Sequence, residues 1–290
     1  MKELLSPKQV ATSIGVSESS LKRWCDAGRL QTERTPGGHR RIRIGEVIRF
    51  LRDGEHRLVR PEVLGLPTGT GQGPRSIGKA NEALLDALKQ GDGEQSRRLV
   101  MDLYLSGNSV VRICEELLAP TLHAIGDGWQ CGAIEIYQEH RACEILNQVL
   151  YDLRMMLPPP DTSAPVALGG STSGDNYRLA SLMVELVLVS NGWSAASLGS
   201  SLPFSTLIAA AQEHKPGLFW LSFSHVTDPE RVEKDFEHFL ESTPESMRVI
   251  TGGQQTPAGV LEKADNKRVW HCPDLIELRN ALDQASTLAF

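Results

Sequence analysis

A triple proline, Pro158-Pro159-Pro160, divides the 290-residue chain into two stretches whose apolar residues repeat with different periods. Consecutive residues with fixed φ and no backbone N–H can continue neither a helix nor an inner strand. Before the prolines, from about residue 76, apolar residues recur at helical spacing, as in Leu84, Leu85 and Leu88 or Ile113, Leu117 and Leu118. The spacing predicts helices near 76–90, 93–106, 109–126 and 134–157, broken by Gly91-Asp92-Gly93, Ser106-Gly107-Asn108 and the stretch Gly126 to Gly132. Breaks this short predict an antiparallel four-helix bundle over 76–158. After the prolines, apolar runs at 165–170, 194–199, 217–223, 248–251 and 268–271 alternate with helical patterns near 176–191, 203–214, 228–241, 256–264 and 274–288. That alternation predicts a doubly wound, Rossmann-like parallel sheet over 165–290, with ligands beyond the carboxyl ends of its strands.

The N-terminal part follows neither pattern and differs in charge. Residues 1–60 carry 13 Lys and Arg against 7 Asp and Glu, while 61–290 carry 17 against 29, so a net charge of −6 hides a basic head on an acidic body. Only the head suits a polyanion. Residues 55–75 hold Pro61, Pro67, Pro74 and the run Thr68-Gly69-Thr70-Gly71-Gln72-Gly73, which reads as a flexible linker letting the head reorient. The expected organisation is therefore multidomain α and α/β: a head at 1–54, the linker, the bundle and the sheet domain.

Within the head, Ser6 stands as an N-cap and Pro7 at the first helical position of a helix through Val10, Ala11 and Ile14, which Gly15 ends. Ser17 restarts a helix with Leu21 and Trp24 inward and Glu18, Ser19, Ser20, Lys22 and Arg23 outward, side chains able to reach phosphates or base edges. Thr35-Pro36-Gly37-Gly38 then turns a hairpin whose return arm carries His39, Arg40, Arg41 and Arg43. Residues 4–53 resemble the MerR-type winged helix-turn-helix, nearest its excisionase-like branch, through Ser6-Pro7-Lys8-Gln9-Val10-Ala11, Gly15-Val16-Ser17, Leu21-Lys22-Arg23-Trp24 and Thr35 to Arg41. The resemblance implies double-stranded operator DNA as partner, with the wing arginines on phosphate.

In the sheet domain, Asp175-Asn176-Tyr177-Arg178-Leu179-Ala180, then 41 residues, Ser222-Phe223-Ser224, then 27 residues, Gly252-Gly253, resembles the Asp-x-His-x-x-Gly, Ser-x-Leu, Gly-Gly pattern of methionine synthase and corrinoid proteins. In that family the His ligates cobalt from below, the Asp orients it, and the Ser and Gly-Gly positions receive the cobalamin nucleotide tail. Here Tyr177 stands at the ligand position, Ala180 replaces a glycine and Ser224 replaces the Leu. In the bundle, Trp129, nine residues, then Glu139-His140 resembles the Trp-x9-Glu-His pattern of the CarH/LitR photoreceptor family. There the Trp and Glu line the adenosyl side of adenosylcobalamin and the His can take the metal after photolysis.

The resemblance as a whole implies a DNA-binding regulator, expected to be a repressor, whose assembly into dimers or tetramers depends on adenosylcobalamin and on light. Tyr177 leaves open another tetrapyrrole (haem or a bilin), or no ligand, and a corrinoid-dependent methyltransferase component is the remaining alternative. His225, one residue after Ser224, is a further candidate metal ligand. Enzymatic catalysis is not expected: no Ser/His/Asp or paired-carboxylate set can be assembled, and Gly169 to Gly174 lacks the Lys-Ser/Thr of a phosphate loop. Five scattered cysteines without a CxxC pair, no apolar run of about 18 residues, and no signal-peptide core in Met1–Pro7 lead to the expectation of a cytoplasmic protein without a membrane partner.

Overall fold

The computed structural model describes residues 2–54, 56–73, 76–264 and 268–287. The chain forms two compact units, Met1–Pro159 and Pro160–Phe290, so the triple proline marks their boundary. Among the described residues, no helix is long and apolar enough to cross a membrane.

The first unit opens with β1 (Leu4–Leu5), α1 (Pro7–Ile14), α2 (Glu18–Asp26), β2 (Glu33–Arg34), β3 (Arg40–Arg43) and α3 (Ile44–Asp53). The expected capping residues set the helix starts. The Gln9 amide donates to Ser6 Oγ at 3.3 Å while the Ser6 amide donates to Gln9 Oε1 at 2.8 Å, a reciprocal pair that fixes the first turn of α1. Gly15 then takes φ +71°, which ends the helix in the left-handed region that glycine enters without strain. The three short strands pair in the order β1-β3-β2, and α3 buries Val47, Ile48 and Leu51.

The segment read as a flexible linker is a packed strap over its described part, 56–73. The amides of Val59 and Arg60 both donate to Ser13 O, at 2.8 and 3.0 Å, and a single 3-10 turn spans Pro61–Leu64. Leu58, Leu64, Leu66 and Thr70 are buried, and the Gly71 amide donates to Asp102 Oδ1 at 2.5 Å. The prolines and glycines that suggested flexibility shape turns between buried leucines instead. Positions 55, 74 and 75 lie outside the described residues.

The bundle follows as α4 (Ile77–Gln90), α5 (Gly93–Leu105), a third helix in three parts and α8 (Ile136–Met156). The third helix runs from α6 (Val110–Ile113) through a π-helical turn, Cys114–Leu118, into α7 (Ala119–Gln130). Pro120 has no N–H for the carbonyl of Glu116, which accepts instead from Asn81 Nδ2 on α4 at 3.4 Å. The helix does not stop at Gly126 as expected but continues to Gln130. A Cβ at Gly128 would lie 2.6 Å from Ile134 Cδ1, so this glycine admits a close neighbour rather than breaking the helix.

The second unit alternates β4 (Val166–Ser171), α9 (Arg178–Ser190), β5 (Ser194–Ser197), α10 (Phe204–His214), β6 (Leu218–Ser222), α11 (Pro229–Ser242), β7 (Arg248–Gly252), α12 (Ala258–Glu262), β8 (Val269–His271) and α13 (Leu275–Thr287). All strands are parallel in the order β5-β4-β6-β7-β8, the expected doubly wound sheet. Phe204, Phe219, Phe236 and Phe239 fill one core layer, with Phe219 and Phe239 ring centres 5.2 Å apart. On the buried side of β6, Trp220 Nε1 donates to Ser181 Oγ at 2.8 Å, satisfying the one polar atom of the ring. Successive connections leave β4 in opposite directions, so the crevice between the loops after β4 and β6 is the topological switch point.

Candidate functional site

In the head, α2 presents Ser19, Lys22 and Arg23 to solvent, with Ser20 half-buried. Ser17 Oγ accepts from the Ser20 amide at 3.1 Å and lies 2.9 Å from both Ser19 Oγ and Ser20 Oγ, a hydroxyl cluster at the helix start. Arg23 donates to Ser20 Oγ at 3.2 Å, and Lys22 pairs with Glu18 at 2.9 Å. The wing turn closes through Thr35 N to His39 O at 2.9 Å with Gly38 at φ +76°, leaving His39 exposed at its tip.

Strand register separates the wing cations into two groups. Arg34 lies opposite Arg40 on one face, whereas Arg41, opposite Glu33, and Arg43 lie on the other. Arg40 reaches Asp26 of α2 at 2.7 Å, and a cleft of 280 Å³ opens between helix and wing, lined by Pro7, Lys22, Asp26, Arg34 and Arg40. Arg43 is held by Glu3 at 2.9 Å and Glu33 at 2.5 Å, which brace β1 and β2 against β3. Sequence reading passed over Arg34 and Asp26, although the tight turn already fixed Arg34 opposite Arg40.

At the switch point of the sheet, Asp175 is fully buried and links two loops. Its Oδ1 accepts from the Tyr177 amide at 2.9 Å and its Oδ2 from the Ser224 amide at 2.7 Å. Burial raises its pKa above the ordinary aspartate value, while the amides of Tyr177, Ser224 and His225 pull the other way. Ser222 Oγ lies 3.3 Å from Ser224 Oγ. Thr172 is buried, and its Oγ1 has no hydrogen-bond partner among the described residues. Gly253 sits at φ +110°, where a Cβ would lie 2.6 Å from the Phe223 carbonyl, and a Cβ on Gly252 would lie 2.6 Å from Cys272 O. Gly253 thus lets the loop after β7 seat on the loop after β6, and Gly252 admits the chain that follows β8.

The donors at this crevice do not fit a protein–cobalt bond from below. Tyr177 offers a phenol, 55% exposed, at the N-cap of α9, and both oxygens of Asp175 serve backbone amides rather than a side chain at 177. His225 is half-buried, and no group of three or more His, Cys, Asp and Glu is placed to hold a metal among the described residues. The crevice does offer hydroxyls, at Ser222 and at Thr172, whose Oγ1 has no hydrogen-bond partner among the described residues.

At one end of the bundle, Trp129 near the close of α7 is 45% exposed, and Glu139 and His140 occupy the opening of α8. Cys143 Sγ donates to Glu139 Oε1 at 3.3 Å, and His140 Nε2 lies 3.5 Å from Glu139 Oε2. Burial pushes the Cys143 thiol up to about 12, so it remains a neutral donor to the carboxylate. The end of α7 and the start of α8 are joined by the short turn 131–135, which gathers the three residues at one end.

Comparison with known proteins agrees with these parts. Residues 4–55 match a helix-turn-helix domain and residues 80–153, the bundle, match a B12 binding domain. No curated protein matches the chain by sequence. Among solved structures, the monomethylamine corrinoid protein of Methanosarcina barkeri superposes at a TM-score of 0.59 with 17% identity, over 72% of this chain and 100% of that one. A cobalamin-binding protein of Desulfitobacterium hafniense DCB-2 gives 0.37 at 14% identity over 71% and 97% of the two chains. The methanol:cobalamin methyltransferase complex of M. barkeri gives 0.37 at 13% over 80% and 89%. The chain therefore combines a helix-turn-helix domain with a B12 binding domain and a Rossmann-like sheet domain, in a fold shared with a corrinoid protein.

Proposed function

We propose that the chain is a MerR-type transcriptional regulator whose hold on operator DNA is controlled by a cobalamin-type tetrapyrrole. One observation carries the reading: a helix-turn-helix with an open cationic cleft stands in the same compact unit as a bundle matching the B12 binding domain. A regulator needs both a DNA reader and a sensor, whereas a methyl carrier has no use for the first. Lys22, Arg23, Arg34 and Arg40 contact phosphate in this reading, and α2 enters the major groove.

The ligand in this reading is adenosylcobalamin; Trp129, Glu139 and His140 are the bundle's candidate residues for it, and Ser222, Gly252 and Gly253 are those of the sheet domain. A cobalt–carbon bond would supply a light-sensitive element when that group is bound. The sheet domain supplies no lower ligand, since Tyr177 replaces the histidine and Asp175 is engaged by amides. Each head offers few cations, so oligomers would gain affinity by presenting several heads at once, and ligand-dependent assembly would make the protein a repressor in its loaded state. The phenol of Tyr177 favours haem as the second reading, because Tyr serves as an axial ligand to haem iron.

The test mixes purified protein in darkness with adenosylcobalamin, hydroxocobalamin, haemin or biliverdin and follows size, absorbance and operator retention. Co-elution of a corrinoid with a larger species, and DNA retention at roughly tenfold lower protein concentration, supports the leading reading. Co-elution of haemin alone supports the second. Elution without colour in all four, with unchanged size, overturns both.

A further inference from the structure

Helix α8 carries Glu139 and His140 in its first turns, and its last residues meet the DNA-binding head. The chain leaves the helix at Leu157, whose carbonyl lies directly against Gly45 of α3. A Cβ at Gly45 would sit only 2.9 Å from the Leu157 carbonyl carbon and 3.3 Å from Pro158 N, so the contact requires glycine. Helix α8 has 21 residues, and the run from His140 to Leu157 covers about 25 Å at about 1.5 Å per residue.

A second attachment lies beside the first. Arg52, near the end of α3, donates to Tyr104 O and, at 3.2 Å, to Asn108 O, where α5 gives way to the next turn. Its guanidinium also lies 3.9 Å from the centre of the Tyr104 ring. Tyr104 O lies at the C-terminal end of α5, where helix carbonyls carry partial negative charge that a guanidinium complements, and it also accepts from the Gly107 amide at 3.1 Å. On the same helix, Asp102 accepts from the Gly71 amide of the strap. The head is therefore held at three points, by the ends of α5 and α8 and by the strap.

We propose that α8 acts as a rigid rod that transmits the state of its Glu139/His140 end to the head through Gly45, with Arg52 as the clamp that makes head and bundle move together. The transmission step rests on the sensor reading above; the docking of the head does not. A displacement at one end of a continuous helix is carried to the other because its hydrogen-bond ladder resists bending, and tight packing at Gly45 leaves no slack to absorb it. The packed strap, over 56–73, adds a separate attachment of the head to the bundle.

Gly45→Ala is the discriminating variant, because alanine is the better helix former and would strengthen an isolated α3. Arg52→Lys keeps the charge but loses the fork that reaches two carbonyls. In the full-length chain without ligand, hydrogen exchange over 56–73 and over the contact faces of α3 and α5 is expected to quicken at least tenfold in both variants. The head's own α1 and α2 amides should remain protected, which shows that it stays folded. Unchanged exchange in both variants, or a Gly45→Ala chain with slower exchange over α3, overturns the docking. With hydroxocobalamin or adenosylcobalamin added, the wild type should change its operator affinity and Gly45→Ala should bind the same corrinoid with little change. A Gly45→Ala chain that responds like the wild type overturns the rod. A wild type that binds no corrinoid overturns the sensor reading and with it the transmission step, while the exchange result still decides the docking.

Discussion

Two buried carboxylates, Asp102 and Asp175, accept hydrogen bonds from loop amides, and in both burial raises the pKa more than those amides lower it. An aspartate whose folded-state pKa is raised binds more protons folded than unfolded. Stability should therefore fall as pH climbs from the ordinary value of 3.8 through the raised one, and stay level above it. Asp102→Asn keeps an oxygen for the Gly71 amide and should remove that residue's share of the slope, read from urea midpoints across pH. Asp175→Ala leaves the part-buried amides of Tyr177 and Ser224 without this acceptor and should cost about 1–3 kcal/mol in the urea transition of the sheet domain. The sequence spacing marked Asp175, Ser222 and Gly252-Gly253 as neighbours, and the loops do bring them around one switch point. It could not reveal that Asp175 is engaged by backbone, because a hydrogen bond to an amide 49 positions away leaves no trace in composition.

The elements most legible in the chain were those with strong periodicity. Each apolar run after Pro165 became a strand, and each amphipathic stretch a helix, because short continuous apolar runs suit parallel strands covered on both faces and period-3.6 patterns suit helices with one buried side. Glycine misled twice, at Gly128 inside α7 and in the strap, since the same residue serves as breaker, turn former or point of close contact. The wing shows how register decides what a cation does. If Arg34 contacts one phosphate as proposed, Arg34→Ala should weaken binding to any duplex and reduce the slope of log affinity against log salt by about 1. Arg43→Ala should leave that slope unchanged and lower the thermal midpoint of the head, because its partners are Glu3 and Glu33. Ser17→Ala removes the cap of α2 and should cost about 1 kcal/mol, read in the same thermal measurement.

At the scale of the molecule, the basic head and the acidic body do not coincide with the two compact units, because the head packs with the bundle in Met1–Pro159. A fragment of residues 1–159 is thus expected to unfold in one cooperative thermal transition, whereas 1–54 alone should melt lower. The shorter piece lacks the strap amides of Val59 and Arg60 on Ser13 and the leucines beneath them. Two separate transitions in 1–159 would show head and bundle folding independently. The sequence by itself determined the kinds of element, their order and the concentration of positive charge in the head, all of which depend on local periodicity, capping chemistry and charge. Only the tertiary structure decided that 56–73 is packed, that Arg34 faces Arg40 across a cleft, that Asp175 holds two loops, and that Gly45 meets Leu157 at the far end of α8. These are contacts between residues distant in the chain, and their energies come from burial and close fit that no single stretch of sequence contains.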